Sequence, residues 1–387
     1  MHARPKPINQ QTIVITGASS GIGLATAKEA ARRGARLVLA SRSGEDLAAV
    51  ADELRSMGAE VETVEADVAS EEDVRRIARI AVSRFGGFDT WVNNAVVSIY
   101  GRTDEVPTAE ARRLFDINFW GVVNGSREAL DHLRRKETGG AIINVGSVAS
   151  DSVLPLQSYY SASKHAVKGF TDALRIECEK ERLPVNITLI KPTTIDTPFF
   201  SHAASHLRAG EAPKGPDPAY APELVADAIL FAAEHPRRDI VVGGAGRLLS
   251  ALGKFAPRAM DAYGRAVGFR QQRTRKRPRR TAPEGAIYEP GRGHMIRGGH
   301  PGWVRETSLY SRISEHPLAA ALIVGAAGVA VAAAIGGAGA AVGRRTPRRR
   351  REVADAGNRR RIAEALNRRE FAEAPRRPSP DRSSWCH

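Results

Sequence analysis

The chain has 387 residues, ample for a full α/β core and longer than one typical domain. Its net charge of +15 sits entirely in the C-terminal third: residues 1–260 carry 32 basic and 32 acidic side chains, residues 261–387 carry 26 and 11. Two cysteines, Cys178 and Cys386, exclude a disulfide framework and a cysteine-based metal centre, and no metal is expected.

In chain order, residues 12–16 read as a first strand and 22–33 as a helix stopped by Gly34. Residues 36–40 form a second strand, and a further helix runs to about Met57 before Gly58. Residues 61–66, 89–93, 141–145, 185–190 and 239–242 continue the strands, with helices between them. That alternation predicts an α/β fold, a doubly wound parallel sheet with helices on both faces, within a catalytic domain over residues 1–260. The early first strand leaves no room for a signal peptide, so a cytoplasmic setting is expected.

Beyond residue 260 the pattern breaks. Residues 261–316 read as a basic Gly/Pro/Arg-rich linker, with eight basic residues and no acid between 265 and 280. Residues 317–343 read as an apolar Ala/Gly-rich helix, built on an uncharged run of 25 residues at 318–342. About 20 apolar residues suffice to cross a bilayer. Here 12 Ala and 5 Gly leave eight Leu, Ile or Val, a weak drive to insert. A single span would also export the arginines of residues 344–351, against the tendency of basic flanks to stay inside. A peripheral or re-entrant hairpin, or a helix packing on itself through Gly339 and Gly343, avoids this. Association with an anionic membrane surface is the expectation, and a soluble docking segment is the alternative. Residues 344–387 read as an Arg-rich tail, disordered or helical in part. No nucleic-acid motif accompanies the basic runs, so nucleic acid is not an expected partner.

Chemistry concentrates in the first 200 residues. Residues 16–23 place Thr16, Gly17, Ser19, Ser20, Gly21, Ile22 and Gly23 between a strand and a helix, where backbone amides hold a dinucleotide pyrophosphate. The second strand ends in Ser41-Arg42 with no acid, which favours NADP(H) over NAD(H) because arginine accommodates a 2′-phosphate. Asp67 and Val68 follow the third strand, positioned to contact an adenine edge or, for Asp67, to cap a helix. Tyr160 and Lys164 lie one helical turn apart. A free tyrosine has a pKa of about 10, and a nearby cation lowers it toward use as an acid or base. Ser147 lies upstream, able to hydrogen-bond a substrate oxygen. Tyr159 and His165 fall off that face, and the serines between 158 and 163 read as helix-start chemistry.

These motifs resemble the short-chain dehydrogenase/reductase family over about the first 250 residues. The glycine turn, Asn93-Asn94-Ala95, Asn118, Ser147 and the Tyr160/Lys164 pair occur in the family's order. The resemblance implies a Rossmann-type fold and reversible hydride transfer between the cofactor and a carbonyl or secondary alcohol. It makes Asn118, Ser147, Tyr160 and Lys164 the catalytic set, with Asn118 anchoring a proton-relay water. Asn94, Ala95, Pro192, Ile195 and Thr197 join Tyr160 and Lys164 as cofactor contacts. Val96 and Thr193 replace glycines of the family pattern and leave the substrate open. Residues 198–222, with Phe199 and Phe200, correspond to the substrate lid, and a homodimer or tetramer is implied through helices near 108–133 and 160–178. Two other readings stand beside the small-carbonyl enzyme: a cofactor-binding regulatory protein without turnover, and a membrane-associated reductase of lipid or steroid-type ketones.

Overall fold

The computed structural model describes residues 5–275 and 285–308. The readings made for residues 309–387, membrane contact among them, lie outside the described residues, and among those described no helix is long and apolar enough to cross a membrane.

Seven parallel strands form the central sheet: β1 (Thr12–Thr16), β2 (Arg36–Ser41), β3 (Val61–Glu65), β4 (Thr90–Asn93), β5 (Gly140–Val145), β6 (Val185–Pro192) and β7 (Asp239–Val242). Their order is β7-β6-β5-β4-β1-β2-β3. These are the seven strands expected from the sequence, with ends displaced by two residues at most. The helices are α1 (Gly21–Arg32), α2 (Gly44–Ser56), α3 (Glu71–Phe85), α4 (Thr108–Phe115), α5 (Gly121–Leu133), α6 (Ser158–Lys180), α7 (Pro222–Glu234), α8 (Gly244–Phe255), α9 (Pro257–Tyr263) and α10 (Phe269–Gln271).

Strand β1 shows why both faces are covered. Ile13 and Ile15 pack with Leu24 and Ala27 of α1 and Val225 and Ile229 of α7. Val14, pointing the other way, joins Ile77 of α3 and Leu133 of α5. The chain winds from β1 outward to β3 and then crosses to β4 on the far side of β1, so β1 and β4 pair directly. Such a reversal opens a crevice at the C-terminal ends of the strands, where Thr16, Ser41 and Asn93 lie.

Residues 285–308, which composition alone presents as a linker, pack against this body. Ile287 is fully buried and Ala286 nearly so, within the core shared by α3 and α6. Val304–Arg305 pairs with Ala219–Tyr220, the His300 amide donates to Asp196 at 2.8 Å, and Arg297 pairs with Glu223 at 3.0 Å. Backbone pairing, polar side-chain contacts and two buried apolar side chains do the docking, and none of them leaves a periodic signal in the sequence.

Candidate active site

A groove of about 210 Å³ follows the crevice from Arg42, past the glycine turn, to Ser147, Tyr160 and Lys164. Gly17 adopts φ +66°, and a Cβ there would sit 2.7 Å from Ala95 Cα. A Cβ on Gly23 would approach the Gly17 carbonyl to 2.1 Å, so only glycine lets α1 begin this close to β1. Thr16 builds the wall without lining the groove: its hydroxyl donates to the Val92 carbonyl at 3.2 Å and accepts from the Asn94 and Ala95 amides. Asn94 ties the same turn from the other side, its amide donating to the Thr16 and Gly17 carbonyls. Ser20 at the N-cap of α1 makes no side-chain capping bond; the Gly21 amide donates to the Met295 carbonyl at 2.9 Å, and Ser19, Gly21 and Ile22 line the groove beside the positive end of the helix.

At the other end, Ser147 follows β5 and starts a short 3-10 turn, accepting from the Ala149 amide at 3.0 Å. Ser147 and Tyr160 line the same end of the groove, and the Ser147 hydroxyl favours the ionised form of the Tyr160 phenol. Tyr160 and Lys164 come from one face of α6 and are almost wholly buried. Lys164 Nζ lies 5.9 Å from the Tyr160 ring centre and donates to the Val145 carbonyl at 2.8 Å. Burial pushes the Tyr160 phenol up to about 12, against the pull of the Ser147 hydroxyl. Burial likewise pushes Lys164 down to about 7. In this geometry the Tyr160 shift is set by burial and by Ser147, and the lowering by Lys164 anticipated from their spacing does not contribute to it.

Asn118 lies in a π-helical turn, Asp116–Trp120, between α4 and α5. Its Oδ1 accepts from the Val97 amide, and its Nδ2 donates to the Val97 carbonyl and the Ser163 hydroxyl. The side chain thus clamps the segment after β4 to α6; its hydrogen bonds go to neither Tyr160 nor Lys164.

Arg42 and Ser41 line the end of the groove away from Tyr160, and Val68, Ala95, Pro192, Ile195 and Thr197 line its walls. The Arg42 guanidinium donates to three successive carbonyls of the C-terminal segment: Ala286 at 2.5 Å, and Ile287 and Tyr288 at 3.0 Å each. Two of its five N–H donors remain. The Asp67 carboxylate pairs with Arg113 and accepts from the Ala69 amide, while Ser70 caps α3. Asp67 therefore does not take the helix-capping place read for it from the sequence.

Ser43, Ser98, His202, Ala286, Pro290 and Gly291 also line the groove without having been anticipated. The last three come from the C-terminal segment and belong to no motif. For Ser43, nearness to Arg42 was the available signal.

Beside Ser147 and Tyr160 opens a smaller chamber of about 70 Å³, walled by Leu154, Phe199, Phe200 and Leu249. Phe199 meets the Tyr160 ring edge-on at 5.5 Å and Phe200 at 5.3 Å, joining the lid to the catalytic corner. Val96 and Thr193, the two departures from the family pattern, both line the main groove, and Thr193 lines the chamber as well.

The sequence profile described as short chain dehydrogenase matches residues 11–207. The uncharacterized oxidoreductase YxnA of Bacillus subtilis is 45% identical over 319 residues, spanning 82% of this chain and 89% of its own. An 11-beta-hydroxysteroid dehydrogenase A of Sesamum indicum is 40% identical over 189 residues, 48% of this chain and 53% of that protein. Among solved structures, a short-chain dehydrogenase/reductase of Burkholderia phymatum in complex with NAD superposes with TM-score 0.58 at 27% identity, over 65% of this chain and 94% of that one. An alcohol dehydrogenase of Thermococcus sibiricus complexed with 5-hydroxy-NADP superposes with TM-score 0.53 at 28% identity, over 60% of this chain and 95% of that one.

Proposed function

The chain belongs to the short-chain dehydrogenase family, and we propose that it is an NADP(H)-dependent oxidoreductase interconverting a carbonyl compound and a secondary alcohol. One observation carries this reading: Ser147, Tyr160 and Lys164 are buried together at one end of a groove whose other end presents Arg42 beside the glycine turn.

The residues along the groove fit a nicotinamide dinucleotide. The start of α1, which lacks a side-chain cap, suits the pyrophosphate, and the apolar wall of Ala66, Val68, Ala95 and Ile117 suits a flat adenine. Arg42, held in place by three carbonyls, keeps two N–H donors for a 2′-phosphate, which supports NADP(H) over NAD(H). A bound nicotinamide supplies or takes up the hydride.

The protein's own residues handle the oxygen and its proton. Ser147 donates a hydrogen bond to the substrate oxygen as negative charge develops there. Tyr160 gives its phenolic proton to that oxygen in reduction and takes it back in oxidation. In the protonated form, Lys164 stabilises the resulting phenolate by its charge and hydrogen-bonds sugar hydroxyls from the wall of the groove. Asn118 holds Val97 and Ser163, and so fixes the segment after β4 against the helix that carries Tyr160.

Half-exposed Trp120 and the still more exposed Ile176, on the helical surface beside α5 and α6, support assembly into a dimer or tetramer. The test of function is NADPH and NADH oxidation by the full chain against aldehydes, ketones and quinones. Turnover with NADPH is expected; tight cofactor binding without turnover of any carbonyl would sink the proposal.

A further inference from the structure

We propose that residues 288–299 form a strap that must lift from the start of α1 for the dinucleotide to enter and leave, so that strap opening sets the rate of cofactor exchange. The inference rests on the dinucleotide reading of the groove given above and on nothing about the substrate.

The strap is fixed at both ends and loosely held between them. At one end Ala286 and Ile287 are buried. The Ala286 amide donates to the His202 carbonyl at 2.7 Å while its carbonyl accepts from Arg42, so this residue ties the lid to the end of β2. At the other end the His300 amide donates to Asp196, its ring hydrogen-bonds Asp217 at 2.6 Å, and Val304–Arg305 pairs with Ala219–Tyr220. None of residues 288–299 is fully buried, and among them only Ile296 packs partly against the core. A segment with so few buried apolar contacts opens at low cost. Gly293 and Gly299 adopt φ +97° and +70°, backbone that side chains disfavour, and give the strap its bends.

Between its ends the strap runs from one wall of the groove to the other. The Tyr288 carbonyl accepts from Arg42 at 3.0 Å, and the Gly293 amide donates to Asp46 of α2 at 3.2 Å. The Met295 carbonyl then accepts the Gly21 amide at 2.9 Å, at the first residue of α1. Gly298 lies against the root of the lid, where a Cβ would come within 2.1 Å of the Thr197 carbonyl. Between those last two contacts the groove is pinched. A single Cβ added to Gly21 would already stand 3.2 Å from the Thr197 side chain, which leaves less width than a phosphate needs.

Arg42 and the Gly21 amide are a guanidinium and an N–H at the positive end of a helix, both suited to phosphate. Strap carbonyls engage the two of them. A phosphate arriving at the start of α1 therefore competes with the Met295 carbonyl for the same N–H, in a gap too narrow to admit it. Lifting the strap frees the amide and widens the gap together, while the buried ends keep the segment in place to close again.

Stopped-flow NADPH fluorescence with the full-length protein tests this. In the wild type the binding rate levels off as NADPH is raised, because opening precedes entry. Arg297→Ala removes the pairings with Glu223 and Glu306 that hold the strap, and Gly298→Ala drives a Cβ against the Thr197 carbonyl. Each variant raises the plateau and the release rate together by about fivefold or more, with Kd changed far less. A strap that only touched the cofactor would, when loosened, quicken release alone. Hydrogen exchange on the wild type gives a reading free of any folding defect: the amides of residues 288–299 exchange fast in the free protein and slowly at saturating NADPH. A binding rate in strict proportion to NADPH, variants that leave the plateau unmoved or quicken release alone, or equal strap protection with and without NADPH overturns the inference. Absence of NADPH binding overturns the dinucleotide reading instead, and the strap's role falls with it.

Discussion

Arg42 donates to the Ala286 carbonyl at 2.5 Å across 244 residues of chain, joining the end of the second strand to a segment beyond the matched family profile. The contact makes the C-terminal segment a wall of the groove and holds the Arg42 guanidinium at the end away from Tyr160.

Replacing Arg42 by leucine is expected to lower kcat/KM for NADPH by about tenfold or more, with a much smaller effect on NADH, because a charge-assisted contact to the 2′-phosphate is lost. Steady-state kinetics with both cofactors decide the matter. Equal losses for the two would mean that Arg42 serves only to hold residues 286–288.

Ile287 is fully buried, so Ile287→Ala is expected to destabilise the protein by about 2–4 kcal/mol in urea unfolding. A linker lying free of the body would show no change. Agreement would establish that the segment folds as part of the catalytic unit.

Tyr160→Phe removes the transferable proton and leaves the ring against Phe199. Turnover should fall by about 10²–10⁴-fold. NADPH titration followed by nucleotide fluorescence should be nearly unchanged, and retained turnover would remove Tyr160 from its role.

Burial holds Lys164 down at about 7, whereas an unfolded lysine titrates near 10.4. Between those values the unfolded chain binds a proton that the folded chain does not, so stability increases with pH there. Below about pH 7 both states hold the proton and the penalty is full. The wild-type melting temperature is therefore expected to climb relative to Lys164→Met between about pH 7 and 10. Parallel pH profiles for the two proteins would count against a buried lysine of low pKa.

Much of this was legible in the chain. The seven strands announce themselves because apolar runs of strand length alternate with amphipathic helices, and glycines mark the helix ends. The Tyr160/Lys164 spacing places both side chains on one helical face whatever surrounds it, and Gly17 and Gly23 stand where any Cβ would collide. The fate of Asp67 was not legible, because its partner Arg113 belongs to a helix packed against it only in the folded molecule. Asn118 could be picked out by resemblance, yet its hydrogen bonds to Val97 and Ser163 depend on how three distant segments meet.

The sequence by itself determined the local matters: strand and helix order, the turn at which α1 begins, and the residue types able to carry redox chemistry at a carbonyl. These follow from short-range sterics and periodicity, which act over a few residues. Only the tertiary structure decided that Arg42 is gripped by residues 286–288 and that burial sets Tyr160 and Lys164 far from their ordinary pKa values. Each of those depends on desolvation or on hydrogen bonds between residues distant in sequence, and such quantities exist only once the chain has closed around them.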